Sequence, residues 1–289
     1  MSEKEYRINL DDGRMLACLE LGNASGEAVI YCHGYPGSRL EARLAEQAVK
    51  RLGLRLIAPD RPGFGESSFQ AGRTIGAWAN DIKQLADQLG LERFSILGVS
   101  GGGPYTLACA AGIPERINQI ALVGALAPLS GMHSTRDMVA FNRMVLTLGT
   151  WYPALARRVV GLMARWFRRQ PESLFKFMLA GAPEADKKVI DDPGFKVIWL
   201  ASVKAALLQG GQGVAWELPL LAQPWDFNLE QVLVPVQIWH GLSDTVVPAT
   251  MARYLVETLP HNKVHYLQGE GHFSLMVRHL DTVLEDLCR

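Results

Sequence analysis

Ile96-Leu97-Gly98-Val99-Ser100-Gly101-Gly102-Gly103-Pro104 decides the reading of this chain. It reads as a buried strand that ends in a serine wedged between glycines, with a helix starting at once. Such a Gly-x-Ser-x-Gly turn, a nucleophile elbow, lifts a serine hydroxyl out of the backbone at the top of a parallel sheet. Gly98 and Gly102 are needed where the tight strand-to-helix turn leaves no room for side chains. Ser100 then sits at a helix N-terminus, where unpaired N–H groups and the helix dipole favour negative charge. The flanks agree with this reading. Phe94 to Val99 is a strand-like apolar run, and Tyr105 to Ala111 is small and helix-forming.

Working outward, Tyr6–Leu10 and Met15–Leu21 alternate around Asp11-Asp12-Gly13, which predicts an antiparallel hairpin. A regular alternation follows: strand Ala28–Cys32, helix Arg39–Leu52, strand Arg55–Ala58, helix Ile75–Leu89, the elbow strand, helix Pro104–Ala111 and strand Gln119–Val123. Short apolar strands separated by amphipathic helices imply a parallel sheet covered on both faces. The rhythm breaks after Gly124-Ala125-Leu126-Ala127-Pro128. From about there to Gln231 only helical segments are expected, among them Arg136–Leu148, Ala154–Phe167, Glu172–Ala180 and Phe195–Leu208. Strand Val234–Trp239, helix Ala249–Leu259, strand Lys263–Leu267 and a helix running to Arg289 resume the pattern. The division is therefore an α/β core over 1–127 and 232–289, interrupted by a helical insertion over 128–231. Five of the seven tryptophans lie in the insertion, at 151, 166, 199, 216 and 225. Trp151, Trp166 and Trp199 are candidates to face the sheet and line an apolar substrate pocket, since ligand sites favour such junctions.

The 289 residues are long enough for one large domain with an insertion. Twenty-nine basic residues balance 29 acidic ones, which argues against nucleic acid as a partner. No apolar stretch reaches membrane-spanning length, and Met1-Ser2-Glu3-Lys4-Glu5 lacks the pattern of a secretion signal, so the expected location is the cytoplasm. The four cysteines, at 18, 32, 109 and 288, form no Cys-x-x-Cys pair and read as small buried thiols. Residues 157–169 form a basic amphipathic helix, expected to be an element of the insertion with its arginines in water; no stable membrane association is expected. Gly210-Gly211-Gln212-Gly213 lacks the residues of a phosphate loop and is expected to be a flexible loop or hinge. No metal and no cofactor are implied, and a homodimer stays open.

A serine hydroxyl needs a base, an orienter for that base and an oxyanion site. Strand carboxyl ends are where ligands bind in open α/β sheets. His272, in Gly269-Glu270-Gly271-His272-Phe273, follows the last strand and is the candidate base. Asp244, in His240-Gly241-Leu242-Ser243-Asp244, follows the preceding strand and is the candidate orienter; Gly124 to Pro128 offers no competing carboxylate. The oxyanion donors are expected to be the amides of Gly101 and, from His33-Gly34-Tyr35-Pro36-Gly37-Ser38, of Tyr35, because Pro36 has no N–H. Gly34 would let the backbone approach the substrate closely.

His33-Gly34-Tyr35-Pro36-Gly37, Asp60-Arg61-Pro62-Gly63-Phe64-Gly65, Gly98-Val99-Ser100-Gly101-Gly102, Gly241-Leu242-Ser243-Asp244 and Gly271-His272 together resemble the α/β-hydrolase superfamily in order and spacing, over nearly the whole chain. The resemblance implies a mostly parallel eight-stranded sheet with helices on both faces and a helical cap inserted after the sixth strand, over a Ser100–His272–Asp244 triad. In that family His33 and Asp60 organise loops rather than react. Epoxide hydrolases and haloalkane dehalogenases share the layout but carry aspartate at the elbow. Proline iminopeptidases typically carry tryptophan after the serine, where this chain has Gly101. The expectation is a cofactor-independent serine hydrolase that cleaves carboxylic esters of small to medium apolar substrates through an acyl-enzyme. Lactones, thioesters, carbon–carbon bonds and aminoacyl amides remain open as substrates of the same triad. A low-turnover ligand-binding module on the same fold is the alternative from another class.

Overall fold

The computed structural model describes residues 3–129, 137–178 and 180–289. Eight strands form one sheet: β1 (Lys4–Asn9), β2 (Met15–Gly22), β3 (Ala28–Cys32), β4 (Arg55–Pro59), β5 (Phe94–Val99), β6 (Ile117–Val123), β7 (Val236–Gly241) and β8 (Asn262–Leu267). Their order is β1-β2-β4-β3-β5-β6-β7-β8. β1 and β2 pair antiparallel, as the Asp-Gly turn predicts, and β2 also runs antiparallel to β4. All later pairs are parallel. β3 and β5 are buried along their whole length, which is why both read as continuous apolar runs rather than alternating ones. β8 ends the sheet and is half-buried.

The core helices are α1 (Glu46–Leu52), α2 (Trp78–Gln88) and α3 (Gly103–Gly112). The stretch Arg39–Leu52, expected as one helix, is a 3-10 segment over Arg39–Ala45 followed by α1. Ser38 caps the 3-10 segment, its hydroxyl accepting from the Leu40 amide at 3.4 Å. Between β6 and β7 come α4 (Ala140–Trp151), α5 (Pro153–Arg169), α6 (Pro171–Met178), α7 (Glu184–Ile190), α8 (Pro193–Ala206) and α9 (Gln212–Ala222), with no strand among the described residues. Arg136, the expected start of the first of these, lies outside the described residues, as does position 179 within the expected Glu172–Ala180 helix. The chain closes with α10 (Ala249–Thr258) and α11 (His272–Leu287). No helix among the described residues is long and apolar enough to cross a membrane.

Two differences from the sequence reading matter. α7 and α9 were not anticipated. The run Gly210-Gly211-Gln212-Gly213 is not a free hinge: Gly210 and Gly211 take left-handed φ values of 75° and 76°, and Gln212 and Gly213 already belong to α9. A Cβ on Gly213 would lie 2.3 Å from the Gly63 carbonyl oxygen, so this glycine is a point of close contact between α9 and the core. Cys18, Cys32 and Cys109 are buried free thiols, while Cys288 is only partly covered.

Candidate active site

Ser100 directly follows β5 with φ +52°, the one non-glycine positive φ among the described residues. A side chain held there stores strain, which the surrounding glycines make sustainable. A Cβ on Gly98 would meet Thr106 Oγ1 at 2.3 Å, and one on Gly102 would meet the Cys32 carbonyl oxygen at 2.0 Å. The elbow therefore admits only glycine where β5 turns into α3. The Ser100 carbonyl accepts the Leu126 amide at 3.2 Å, tying the elbow to the loop after β6.

His272 opens α11 just beyond β8, and Asp244 follows β7. Asp244 Oδ2 lies 2.7 Å from His272 Nδ1. Its Oδ1 accepts the Val246 and Val247 amides, both at 2.8 Å, which fixes the carboxylate in its turn. Burial alone would push the imidazole down, but the charge and hydrogen bond of Asp244, with Asp186 and Glu41 beyond it, carry His272 above its ordinary value. Ser100 and His272 line one cavity.

Gly101 and Tyr35 meet beside the serine. A Cβ on Gly101 would lie 2.6 Å from Tyr35 Cβ and 3.2 Å from the Tyr35 nitrogen, so the backbones of the two residues are in close contact. The Tyr35 N–H has no acceptor among the described residues. The loop carrying it is held from behind. Arg61 Nη2 donates to the Gly34 carbonyl at 3.1 Å. Glu41 Oε1 accepts the Gly34 amide at 2.8 Å and the Tyr31 hydroxyl at 3.0 Å. Burial pushes the Glu41 carboxyl up, and it is the one carboxylate among the described residues that line the cavity. His33 and Asp60 organise loops. Burial, with Arg61 nearby, pushes His33 well below its ordinary value, and its Nε2 accepts the Arg61 amide at 3.3 Å. Asp60 is fully buried and accepts the Arg39 amide at 2.7 Å.

Two residues that the sequence did not point to come from the inserted helices. Asp186 of α7 is fully buried, and its carboxylate accepts the amides of His272, Phe273 and Ser274 at 2.9, 3.0 and 2.8 Å. Gly271, which precedes α11, offers no side chain to cap it, so the first-turn N–H groups need an acceptor from elsewhere. That glycine before an apolar helix was the only available signal. Glu217 of α9 is also fully buried and bridges Arg61 at 2.6 Å, Arg73 at 3.0 Å and the Tyr105 hydroxyl at 3.0 Å. Burial would raise its pKa, but the two guanidinium groups hold it below the ordinary carboxylate range.

The cavity has a volume of about 180 Å³ and is mostly apolar. Its floor is Ser100, Gly34 and Tyr35, and its roof is Val145, Met163, Phe167 and Leu218 of the inserted helices. Trp199 lines it, stacking edge-on against Phe167 at 6.4 Å. Trp151 and Trp166 do not: they are 73% and 47% exposed and point away on α4 and α5. Their place in the candidate pocket is corrected on that ground. The inward faces of these two helices are built of smaller apolar side chains instead.

The chain matches the family model described as alpha/beta hydrolase fold over residues 27–278. The uncharacterized hydrolase YcgS of Bacillus subtilis is 29% identical over 288 residues, covering 94% of this chain and 93% of that protein. Bifunctional epoxide hydrolase 2 of Sus scrofa is 32% identical over 291 residues, 92% of this chain but 51% of its own length. Among solved structures, a thermophilic esterase from Thermogutta terrifontis aligns with a TM-score of 0.70 at 22% identity, covering 100% of both chains.

Proposed function

This chain belongs to the α/β-hydrolase fold family, and from that premise we propose that it is a serine hydrolase cleaving carboxylic esters of small to medium apolar substrates. The observation that carries this reading is the strained Ser100 sharing one cavity with a His272 that Asp244 orients at 2.7 Å. Ser100 Oγ attacks the ester carbonyl carbon while its proton passes to His272 Nε2. Negative charge develops on the former carbonyl oxygen, and the N–H groups of Gly101 and Tyr35 stabilise it there. Asp244 keeps the Nδ1 proton in place and stabilises the imidazolium. The tetrahedral adduct collapses, the C–O bond to the alcohol breaks, and His272 returns the proton to the departing oxygen. A water molecule, losing its proton to His272, then attacks the acyl-enzyme, and the carboxylic acid leaves as Ser100 Oγ recovers its proton.

The inserted helices act as a cap over residues 128–231, and the core divides around it as 1–127 and 232–289. The apolar roof, with Trp199, Val145 and Phe167, favours hydrocarbon-rich acyl or alcohol groups over charged ones. Serine at position 100 is the group that favours acyl transfer over the aspartate-based chemistry of capped epoxide hydrolases. The test is labelling with a fluorophosphonate probe, followed by peptide mapping. An adduct on Ser100, absent in Ser100→Ala, together with burst kinetics on aryl esters, is the expected result. An unlabelled intact protein, or a Ser100→Ala variant that keeps its esterase activity, would overturn the reading.

A further inference from the structure

The outer faces of α4 and α5 are unlike the rest of the surface. Met144, Trp151, Tyr152, Leu155, Leu162 and Trp166 are between 47% and 73% exposed. On α5, Leu155, Leu162 and Trp166 are spaced by seven and four residues, which stacks them in one stripe along a 3.6-residue helix. Arg158, Arg165 and Arg169 each follow one of them by three residues, so the arginines form a parallel row on one flank. Between Met138 and Pro171 the sequence holds six arginines and no aspartate or glutamate. Arg157 is taken up by stacking over Trp216 at 4.9 Å. Arg158, Arg165, Arg168 and Arg169 have no carboxylate partner among the described residues. Because the whole chain is neutral, the rest of it carries the compensating carboxylates, and the molecule has a positive end at these helices.

We propose that this face docks the protein reversibly on an anionic lipid bilayer, with the apolar stripe and the Trp151–Tyr152 corner entering the interface and the arginine row meeting lipid headgroups. Exposed apolar side chains beside unpaired cations are what an interfacial helix presents: hydrocarbon enters the acyl boundary while cations stay among phosphates. A nucleic-acid surface has no use for a Leu–Leu–Trp stripe. A two-fold copy of the same face would set arginines against arginines. The geometry also links the face to the cavity. On the same two helices, Val145, Met163 and Phe167 turn inward to the roof over Ser100. A lipophilic substrate dissolved in the bilayer would therefore meet the roof without crossing bulk water.

The docking does not depend on the chemistry assigned to Ser100, so its test uses Ser100→Ala alongside the unaltered protein. Flotation with phosphatidylcholine vesicles containing about 30 mol % phosphatidylglycerol should bring both proteins up with the lipid, and pure phosphatidylcholine should not. Reversing the row (Arg158→Glu, Arg165→Glu, Arg169→Glu) should weaken vesicle binding by at least about tenfold, as should about a tenfold rise in salt. Leu155→Gln with Leu162→Gln should weaken binding to the same vesicles while leaving the salt dependence in place. Both sets lie on an exposed face, and unchanged circular dichroism and melting temperature would show that they fold. Failure to float with anionic vesicles, or flotation that neither set of changes reduces, overturns the proposal. So does a dimer in light scattering that either set dissociates, which would assign the face to a second copy of the chain.

Discussion

Asp186 Oδ2 accepts the backbone N–H of His272 at 2.9 Å, so a helix inserted after β6 holds the residue proposed as the base. Its other oxygen takes the next two amides, and a Cβ on Gly271 would fall 2.5 Å from the Asp186 carboxyl carbon. Core and insertion are thus not independent at the site: the position of the imidazole depends on where α7 sits. Asp186→Ala strips the first turn of α11 of its acceptor and lets His272 shift. The expected result is a loss of up to about 100-fold in kcat with a smaller change in KM. Asp186→Asn keeps one acceptor oxygen and should lose less. Steady-state kinetics on an aryl ester checks both, and an unchanged kcat in Asp186→Ala would deny it a positioning role.

The pH profile follows from the same neighbourhood. In the proposed mechanism acylation needs neutral His272, and Asp244, Asp186 and Glu41 favour its cation against the burial that opposes it. Activity should therefore be absent at low pH and rise as pH passes the raised imidazole value, with the acid limb of kcat/KM above the ordinary histidine value of about 6.5. Asp186→Asn removes one of the charges that raise it, so the limb should move to lower pH. A limb below the ordinary value, or one that stays put in Asp186→Asn, would contradict this account.

Asp244→Asn should leave the fold intact, because the amide can still accept from the Val246 and Val247 N–H groups. The imidazole would then adopt the wrong tautomer, and kcat should fall by about 10⁴. Kinetics with a melting curve separates this from unfolding. Near-normal turnover would mean that another group orients His272.

Gly101→Ala would place a methyl group 2.6 Å from Tyr35 Cβ. Neither residue can retreat easily, because Gly101 is locked in the elbow and the neighbouring Gly34 is held by Glu41 and Arg61. The two amides proposed to hold the oxyanion should separate, with about 10²–10³ lost in kcat and little lost in ester binding. Retention of full kcat would place the oxyanion elsewhere.

The succession of strands and helices along the core, the elbow and the positions of Ser100, Asp244 and His272 were legible because each rests on local sequence: an apolar run, a glycine turn, a polar residue just past a strand. Strand β3 begins and ends where its apolar run does. Asp186 and Glu217 were not legible, because each does its work on residues at least 86 positions away. In sequence, Glu184-Ala185-Asp186-Lys187 looks like a solvated helix face, and Glu217 is a lone carboxylate in the apolar run 213–222 with nothing nearby to name its partners. Trp151 and Trp166 misled for a related reason: bulk and aromaticity report burial on average, whereas the inward face of α5 is Val160, Ala164 and Phe167.

Glu217 supplies the last prediction. It meets Arg61 and Arg73 where none of the three side chains is more than 2% exposed, and Arg61 in turn grips the Gly34 carbonyl of the loop proposed to hold the oxyanion. Glu217→Ala would leave two guanidinium groups buried without a counter-charge, a situation that costs about 3–5 kcal/mol. Glu217→Gln keeps the shape and acceptor but not the charge, so it should lie between. Chemical denaturation of the three proteins should show that ranking, and esterase activity at a temperature where all are folded should fall in the same order because the loop at Gly34 loosens. Stability of Glu217→Ala equal to that of the unaltered protein would mean that water reaches Arg61 and Arg73 and that the bridge does not tie α9 to the core.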